Sequence, residues 1–196
     1  MGKIFCLMGK SSSGKDTVFK KLLEEFKDRL KPVVTYTTRP KRKAEIEGKE
    51  YCFIDEETVQ HYEKNGQLIE KRTYHTVDGD WTYCTVNDGQ FALETHSYLL
   101  IGTLDVYQSL QAFFGEEAVV PLYLCIDDGV RLARALQRER QQAVPNYEEL
   151  CRRFLADCVD FSDAQLAKRK IHHWYKNDNL SDCIDELNQT ILAKLC

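Results

Sequence analysis

The chain opens with a continuous apolar run that is followed by a helical stripe of apolar residues. Residues 4–8 are all apolar and end at Gly9, which is typical of a strand buried on both faces of a parallel sheet. From Lys15 to Leu30, apolar residues recur at helical spacing while charged residues occupy the other face, which predicts one amphipathic helix. The first predicted elements are therefore a strand, a turn and a helix.

Three further apolar runs predict more strands of the same sheet. They lie at Val33–Tyr36, Tyr98–Ile101 and Val119–Ile126 and are separated by helical or irregular stretches. This order suits an open sheet with right-handed crossovers. An apolar stripe over residues 184–195 gives a last amphipathic helix. The pattern as a whole predicts a doubly wound α/β fold.

Two segments depart from this alternation. Residues 41–95 have little helical periodicity and are rich in Thr, Tyr, Gly and charge, with β-prone pieces at Tyr51–Ile54 and Trp81–Val86, which indicates a small β-rich insertion. Residues 131–160 are helical and rich in arginine, with a break at Val144-Pro145. The break predicts two helices joined by a mobile segment.

Asn146, with Glu149 three residues later, is a plausible capping-box start for the second of these helices. Because no repeat, low-complexity tract or linker marks a second domain, we expect a single one. Its parts are a core from residues 1–40 and 96–130, an insertion from 41–95, a lid from 131–160 and a C-terminal core part from 161–196.

Composition and charge exclude several classes of function. The net charge of −4 over 196 residues leaves no general basic surface, so we expect no nucleic-acid partner. The eight cysteines contain no C-x-x-C pair, which predicts reduced thiols rather than a zinc ribbon or a disulfide framework. No apolar run approaches the roughly 20 residues that cross a bilayer, and the first strand leaves no room for a signal peptide. We expect a soluble, cytoplasmic protein with no membrane partner and no metal site formed by the protein alone.

The most specific motif occupies residues 9–15. The sequence Gly9-Lys10-Ser11-Ser12-Ser13-Gly14-Lys15 fits G-x-x-x-x-G-K and lies between the predicted strand and helix. In such a loop, backbone N–H groups point inward and the helix N-terminus adds partial positive charge. The loop is therefore predicted to bind the phosphates of a nucleoside triphosphate, with Lys15 as the mobile cation. The alternative, a Gly/Ser-rich turn, is disfavoured by the flanking elements.

The residue after the lysine departs from the usual motif. A Ser or Thr that commonly holds Mg²⁺ is replaced by Asp16, and Thr17 comes one place later. Asp16 either holds Mg²⁺ through water or is a favourable acidic residue in the first helical turn; both uses remain open. We expect Mg²⁺ to accompany the nucleoside triphosphate, and the candidates for binding this nucleotide are Gly9, Lys10, Ser11, Ser12, Ser13, Gly14, Lys15, Asp16 and Thr17.

A second cluster of cations and hydroxyls follows the strand predicted at Val33–Tyr36. Arg39 and Arg42 can each form a forked, charge-assisted pair with phosphate oxygens, and Tyr51 can add a hydroxyl donor. On composition alone, a solvated basic loop is the better interpretation.

At this cluster the chain resembles the guanylate kinase family. The run T-T-R-P-x-R-x-x-E-x-x-G-x-x-Y begins at Thr37 and ends at Tyr51, and Leu68-Ile69-Glu70 matches the family's F-[LI]-E. The resemblance implies a P-loop NTPase-type parallel sheet flanked by helices, a β-rich insertion for the nucleoside monophosphate, an arginine-rich lid and ATP-dependent phosphorylation of GMP. The GMP-binding residues that it implies are Thr35, Arg39, Arg42, Glu45, Tyr51, Glu70, Tyr83, Thr85 and Asp105.

The hydrogen-bonding groups of guanine give a second reason, independent of the resemblance, to select Glu70 as a candidate. A carboxylate accepts hydrogen bonds from two adjacent donors, and guanine presents N1–H beside its N2 amino group, whereas adenine offers no such pair. Glu70 is therefore predicted to select guanine. The alternative is a surface glutamate beside Lys71 and Arg72.

The resemblance weakens at two places. The family's Y-G-[ST] element stands as Tyr83-Cys84-Thr85, after a stretch at Thr76–Trp81 that is longer than usual. The family's D-x-D is read as Thr103-Leu104-Asp105, with its first aspartate missing, so only Asp105 is carried over. Because these aspartates help to organise acceptor and metal in the family, two alternatives stay open: a catalytically weakened binding module, or a kinase of this fold with another phosphorylated acceptor.

The helical segment supplies the last candidates. Arg134 and Arg138 are four residues apart and Arg153 follows the break; they match the family's lid arginines, and positioned guanidinium groups stabilise a migrating phosphoryl group. The catalytic candidates are thus Lys15, Arg134, Arg138 and Arg153. Without the resemblance, a solvated helix face with Arg131, Glu139 and Arg140 in surface ion pairs is the better interpretation.

One loop near the end of the chain also resembles the family. Asn177-Asp178-Asn179-Leu180 is similar to the N-D-D-L segment that edges the adenine site in guanylate kinases, although a plain loop before the last helix needs no function. The expected partners are small-molecule nucleotides, ATP and GMP. The sequence does not determine the oligomeric state.

Overall fold

The fold is described by a computed structural model that covers residues 1–42, 45–76 and 79–195. Cys196 and part of the predicted long stretch at Thr76–Trp81 lie outside the described residues. In chain order the elements are β1 (Ile4–Gly9), α1 (Lys15–Glu25), β2 (Leu30–Pro32), β3 (Tyr36–Thr37), β4 (Cys52–Phe53), α2 (Glu56–Lys64), β5 (Leu68–Thr76), β6 (Gly79–Val86), β7 (Ser97–Ile101), α3 (Leu104–Phe114), β8 (Val119–Cys125), α4 (Asp128–Arg140), α5 (Tyr147–Asp160), α6 (Asp163–Lys168), β9 (Trp174–Lys176) and α7 (Leu180–Leu195).

A five-stranded sheet forms the centre of the fold. Its order is β2-β7-β1-β8-β9, and every neighbouring pair is parallel. The apolar run of β1 is buried on both faces, as predicted, because Phe5 and Leu7 pack with α1 and α7 while Ile4, Cys6 and Met8 pack with α3 and α6. Helices therefore cover both faces of a parallel sheet, which confirms the predicted fold class.

A second, smaller sheet has the order β4-β3-β6-β5. β3 runs parallel to β4 and antiparallel to β6, and β5 and β6 form an antiparallel pair. Its own small core contains Tyr36, Val59, Cys84 and Val86. The β-rich insertion is thus confirmed. The expectation of little helix is wrong, however, because α2 lies within the segment and is capped by the Asp55 side chain, which accepts from Thr58 N.

The strand predicted at Val33–Tyr36 is also wrong in its bounds. Residues 30–32 form β2 of the central sheet, and residues 36–37 form β3 of the second sheet. Between them, Val33 N donates to Leu99 O and Thr35 O accepts from Cys52 N, so the chain passes from one sheet to the other. Because Leu30 enters β2, α1 ends at Glu25 rather than at Leu30.

The helical arginine-rich segment forms two helices, α4 and α5, as predicted. Asn146 caps α5, since its Oδ1 accepts from Glu149 N at 3.0 Å. The reciprocal half of the predicted capping box is missing: the Glu149 carboxylate pairs with Arg152, and Asn146 N donates to Glu139 Oε1 at 2.6 Å. Glu139 of α4 thereby fixes the start of α5.

The described residues form neither a membrane-spanning helix nor a metal-binding cluster. In residues 1–42, 45–76 and 79–195, no helix is long and apolar enough to cross a bilayer, and no group of three or more His, Cys, Asp or Glu side chains is arranged to hold a metal ion. The cysteines in this part of the chain are free thiols.

Candidate active site

The phosphate loop connects the central strand to the first helix, at the carboxyl edge of the parallel sheet. At Gly9, a Cβ atom would lie 2.6 Å from Leu124 O, and at Gly14, which has a φ of 95°, it would lie 2.4 Å from Asn177 Nδ2. Ser12 also has a positive φ of 62°. Positive φ values at Ser12 and Gly14 allow the chain to turn sharply into the N-terminus of α1, which is a favourable setting for an anion.

Lys15 rests on the carbonyl groups of its own loop. Its Nζ donates to Gly9 O at 2.6 Å and to Lys10 O at 2.9 Å. Burial lowers the pKa of Lys15, and the nearby carboxylates of Asp157 and Asp16 oppose that shift. An ammonium group held at carbonyls with little water is ready to exchange these partners for phosphate oxygens.

One cavity of about 500 Å³ joins the phosphate loop to the lid. This volume is within the range of small-molecule sites. The structure brings Lys15 together here with Arg134 and Arg138 of α4, although these residues are more than a hundred positions apart in the sequence. The lining residues are Ser12, Gly14, Lys15, Asp16, Thr17, Arg134, Arg138, Asn177, Asp178 and Leu180.

Asn177, in the loop before α7, lies against the phosphate loop. It is buried, and its Nδ2 donates to Ser13 O at 2.7 Å. Asp178 and Leu180 line the cavity beside it. Only the resemblance to the N-D-D-L segment signalled this position, because a single asparagine before a helix is otherwise read as a cap.

A buried arginine ties both lid helices to the phosphate loop. Arg131 is 1% exposed, and its guanidinium donates to Asp128 and to Asp157, each at 3.0 Å, and lies 4.0 Å from the ring centre of Phe154. Asp157 Oδ2 also accepts from Ser11 N at 2.8 Å. The alternative in which Arg131 and Glu139 make surface ion pairs is therefore wrong, since both side chains are buried.

We expect Arg131→Met to lower the free energy of unfolding by about 2–4 kcal/mol, because it leaves Asp157, itself mostly buried, without its cation. Urea denaturation followed by circular dichroism measures the change. Arg140→Met, at an exposed position of the same helix, is the control and should stay within about 0.5 kcal/mol of the wild type. A loss at Arg131 no larger than at Arg140 would contradict the structural role.

The residues predicted to form a second anion site lie on the smaller sheet, around Arg39. The Arg39 side chain is buried; its Nη2 donates to Glu45 Oε1 at 2.7 Å, its Nε donates to the Tyr83 hydroxyl at 3.2 Å, and its guanidinium lies 5.5 Å from the Tyr51 ring centre. Glu45 Oε2 accepts from Arg42 N at 2.8 Å. The hydrogen bond from Arg39 holds the pKa of Glu45 below its usual range. Glu45 thus orients the Arg39 side chain and fixes the backbone at Arg42.

Glu70 lies on the same sheet and is 8% exposed, so the alternative of a surface glutamate is wrong. A β-bulge at residue 69 shifts the register, so that Leu68 faces Val86 while Glu70 faces Thr85. Thr85 Oγ1 donates to Glu70 Oε1 at 2.9 Å, and Arg72 Nε donates to Oε2 at 3.0 Å. The bulge places Leu68 in the small core and Glu70 on the opposite face.

The cysteine that replaces the family's glycine does not crowd this face. Cys84 is fully buried in the small core with Tyr36 and Val86. Its neighbours along β6, Tyr83 and Thr85, point to the other face because side chains alternate along a strand. Burial raises the pKa of the Cys84 thiol to about 12, so it stays neutral.

The part of the second sheet that carries Glu70 lies beside the central sheet. Ile69 packs against the core cluster that contains Cys6. Burial raises the pKa of Cys6, and the charges of Arg72 and Glu70 both act on it as well. Glu70 and Arg72 are therefore close to the central strand that leads into the phosphate loop.

Three predicted site residues lie apart from these clusters. Asp105 is in the first turn of α3, which Thr103 caps; its side chain is 75% exposed and pairs with Arg169 at 2.5 Å. Arg153 is largely exposed and lies 3.4 Å from Glu149. Thr35 lies in the crossing between the two sheets, where its carbonyl accepts from Cys52 N. Their predicted roles stay predictions.

Comparisons of sequence and of structure with known proteins both find similarity to guanylate kinases. The sequence model described as guanylate kinase matches residues 1–86. The chain is 30% identical to the guanylate kinase of Oleidesulfovibrio alaskensis over 198 residues, which cover 98% of this chain and 87% of that relative. It is 26% identical to the guanylate kinase of Geobacter sulfurreducens over 215 residues, covering 100% and 90%. In structure it is similar to the crystal structure of guanylate kinase from Anaplasma phagocytophilum, with a TM-score of 0.66, 24% identity and coverage of 99% and 86%, which shows the fold.

Proposed function

The chain belongs to the guanylate kinase family, and we propose that it transfers the γ-phosphoryl group of ATP to GMP, giving ADP and GDP. The observation that carries the proposal is that Lys15, Arg134 and Arg138 line the same cavity. A phosphate loop alone binds nucleotide, whereas a loop lysine faced by lid guanidinium groups is suited to a migrating phosphoryl group.

The donor side consists of the phosphate loop and the residues that follow it. Backbone N–H groups hold the β- and γ-phosphates, and Lys15 exchanges its two carbonyl partners for phosphate oxygens. Asp16 and Thr17 are exposed at the cavity, and their oxygen atoms fit Mg²⁺, which prefers such ligands and retains water. Asp16 and Thr17 would hold Mg²⁺ there, and the ion would neutralise charge on the donor phosphates.

The acceptor side is the smaller sheet with α2, which we propose to be the GMP-binding insertion. Arg39, Arg42 and Tyr51 supply donors to the acceptor phosphate. Glu45 holds the Arg39 guanidinium and the backbone N–H of Arg42. Glu70 accepts from N1–H and N2–H of guanine. A buried carboxylate discriminates strongly because a base without this donor pair leaves it unsatisfied.

The lid, which consists of α4 and α5, closes over the bound donor and acceptor nucleotides. Arg134 and Arg138 stabilise charge on the transferring group, and closure excludes water, so that ATP is not hydrolysed. No covalent intermediate is needed, because binding alone aligns acceptor and donor phosphates.

We also propose that the partners are small-molecule nucleotides and that the protein acts in the cytoplasm. The net charge of −4 supports the absence of a nucleic-acid partner. The free cysteine thiols in the described part of the chain suit a reducing compartment.

A coupled assay of ADP formation tests the proposed function. ATP is offered with GMP, dGMP, AMP, CMP and UMP in turn, and we expect turnover with the two guanine nucleotides. ATP binding without ADP formation from any acceptor would replace the proposal by a binding module. Preference for a different acceptor would replace it by another kinase of this fold.

We predict that Glu70→Gln raises the KM for GMP by about 10- to 100-fold with a smaller change in kcat, because an amide offers only one acceptor oxygen to the two donors of guanine. Initial rates at saturating ATP measure both constants. Glu57→Gln, at an exposed position of α2, is the matched control. An unchanged KM would remove Glu70 from the base-reading role.

A further inference from the structure

Arg72 lies beside the base-reading carboxylate and has no role in the proposed function so far. Residues 70 and 72 are two apart on β5, so their side chains share a face. Arg72 Nε donates to Glu70 Oε2 at 3.0 Å, and the Arg72 side chain is only 26% exposed. Its cross-strand partner is Tyr83, whose hydroxyl accepts from Arg39.

The hydrogen bonds around Glu70 leave Arg72 with unused donors. Thr85 has a single hydroxyl hydrogen, which it donates to Oε1 of Glu70. Arg72 uses one of its five N–H groups on Oε2 and makes no other hydrogen bond to the residues that the structure describes. Each carboxylate oxygen keeps a second lone pair for the ligand. The site therefore presents two acceptors on Glu70 and, next to them, the free N–H groups of a guanidinium.

This order of groups matches one edge of guanine. Along that edge guanine carries the N2 amino donor, the N1–H donor and then the O6 acceptor, and arginine is the side chain that most often pairs with O6 in base recognition. The bond to Glu70 holds the guanidinium directly beside the carboxylate that is proposed to accept from N1–H and N2–H. Adenine carries an amino group where guanine has O6, so the same guanidinium would meet a donor.

We propose that Arg72 is a specificity-determining residue that donates to O6 of the acceptor base while Glu70 accepts from N1–H and N2–H. This inference rests on the proposed function. It adds a second contact to guanine recognition: Glu70 reads the two donors and Arg72 reads the acceptor. The pairing also keeps the buried Glu70 carboxylate compensated before the nucleotide arrives.

The test compares GMP with two analogues in steady-state kinetics. The 6-thio analogue of GMP keeps both donors but replaces O6 by sulfur, a weaker acceptor, whereas IMP keeps O6 and lacks only the N2 amino group. In the wild type we expect kcat/KM for GMP to exceed that for the 6-thio analogue by about 10- to 100-fold. Arg72→Met should reduce this ratio to about 3-fold or less while the preference for GMP over IMP, read by Glu70, remains.

Two further variants complete the design. Lys71→Met is the control, because Lys71 points to the other face and pairs with Glu63 of α2; its ratios should equal those of the wild type. Arg72→Lys keeps a cation beside Glu70 and should keep the fold. The ratio of kcat/KM for GMP to that for the 6-thio analogue should still fall by at least about 5-fold, because an ammonium lacks the rigid fork of a guanidinium.

Equal losses for GMP and the 6-thio analogue in both Arg72 variants would overturn the proposal and would place Arg72 in support of Glu70 or of the phosphate. A wild type that does not distinguish the two nucleotides would overturn it as well, with the kinase activity intact. Failure of the proposed function looks different, because the wild type would then form no ADP with GMP at all.

Discussion

Lys15→Met is expected to lower kcat for phosphoryl transfer by about 10³-fold or more. Lys15 is the cation inside the phosphate loop, and its Nζ is held by Gly9 O and Lys10 O until phosphate oxygens replace them. A methionine of similar length fills the space without charge, so charge that develops on the transferring group loses its nearest compensation. Single-turnover measurements of ADP formation at saturating ATP and GMP separate this loss from weaker binding.

Lys21→Met is the matched control for Lys15, since Lys21 is an exposed lysine on the solvent side of α1. Its kcat should equal that of the wild type. If Lys15→Met retained more than about a tenth of the wild-type kcat, the phosphate loop would bind ATP without taking part in the transfer.

Arg138→Met and Arg134→Met are each expected to lower kcat by about 10²- to 10³-fold, with a much smaller effect on ATP affinity. Both guanidinium groups line the cavity that contains Lys15, and the charge of Arg138 acts on the Lys15 ammonium. Such groups stabilise the dispersed charge of the transition state more than that of the ground state. Stopped-flow binding of a fluorescent ATP analogue and steady-state turnover give the two quantities.

Arg140→Met, on the same helix but outside the cavity, should leave kcat unchanged. The two lid variants combined should lose less than the product of their separate effects, because residues that act on one group are not additive. Losses that appear only as raised KM for ATP would show that these arginine residues bind the donor rather than the transition state.

The central strand β1 and the phosphate loop that follows it could be predicted from local patterns. The run at residues 4–8 is apolar at every position, and only a strand covered on both faces can bury it. Gly9 and Gly14 are required because a side chain at either position would clash with a neighbouring atom, and Gly14 also has a positive φ. Since only glycine meets these conditions, they are visible in the sequence. The break at Pro145 likewise separates α4 from α5, because proline cannot continue a helix.

Contacts between distant segments could not be predicted in this way. Nothing local distinguishes Arg131, which is buried, from Arg140, which is exposed, since both are arginine residues on one helix. The difference comes from Asp157, 26 residues away, whose carboxylate pairs with Arg131 and accepts from the phosphate loop. The end of β2 at Pro32 could not be predicted locally either. It depends on hydrogen bonds with two distant segments, since Val33 N donates to Leu99 O in the central sheet and Thr35 O accepts from Cys52 N in the second sheet.

The sequence by itself determined the phosphate loop, the strand before it, the helix after it and the cation-rich motif at residues 37–51, because each requires particular residue types at fixed short spacings. Tertiary structure alone decided which side chains face the cleft. An unbroken period of two would place Leu68 and Glu70 on one face, but the bulge at residue 69 turns Glu70 away from the small core and brings it to Thr85 and Arg72. Strand register depends on packing across the whole sheet, so no local pattern could show it.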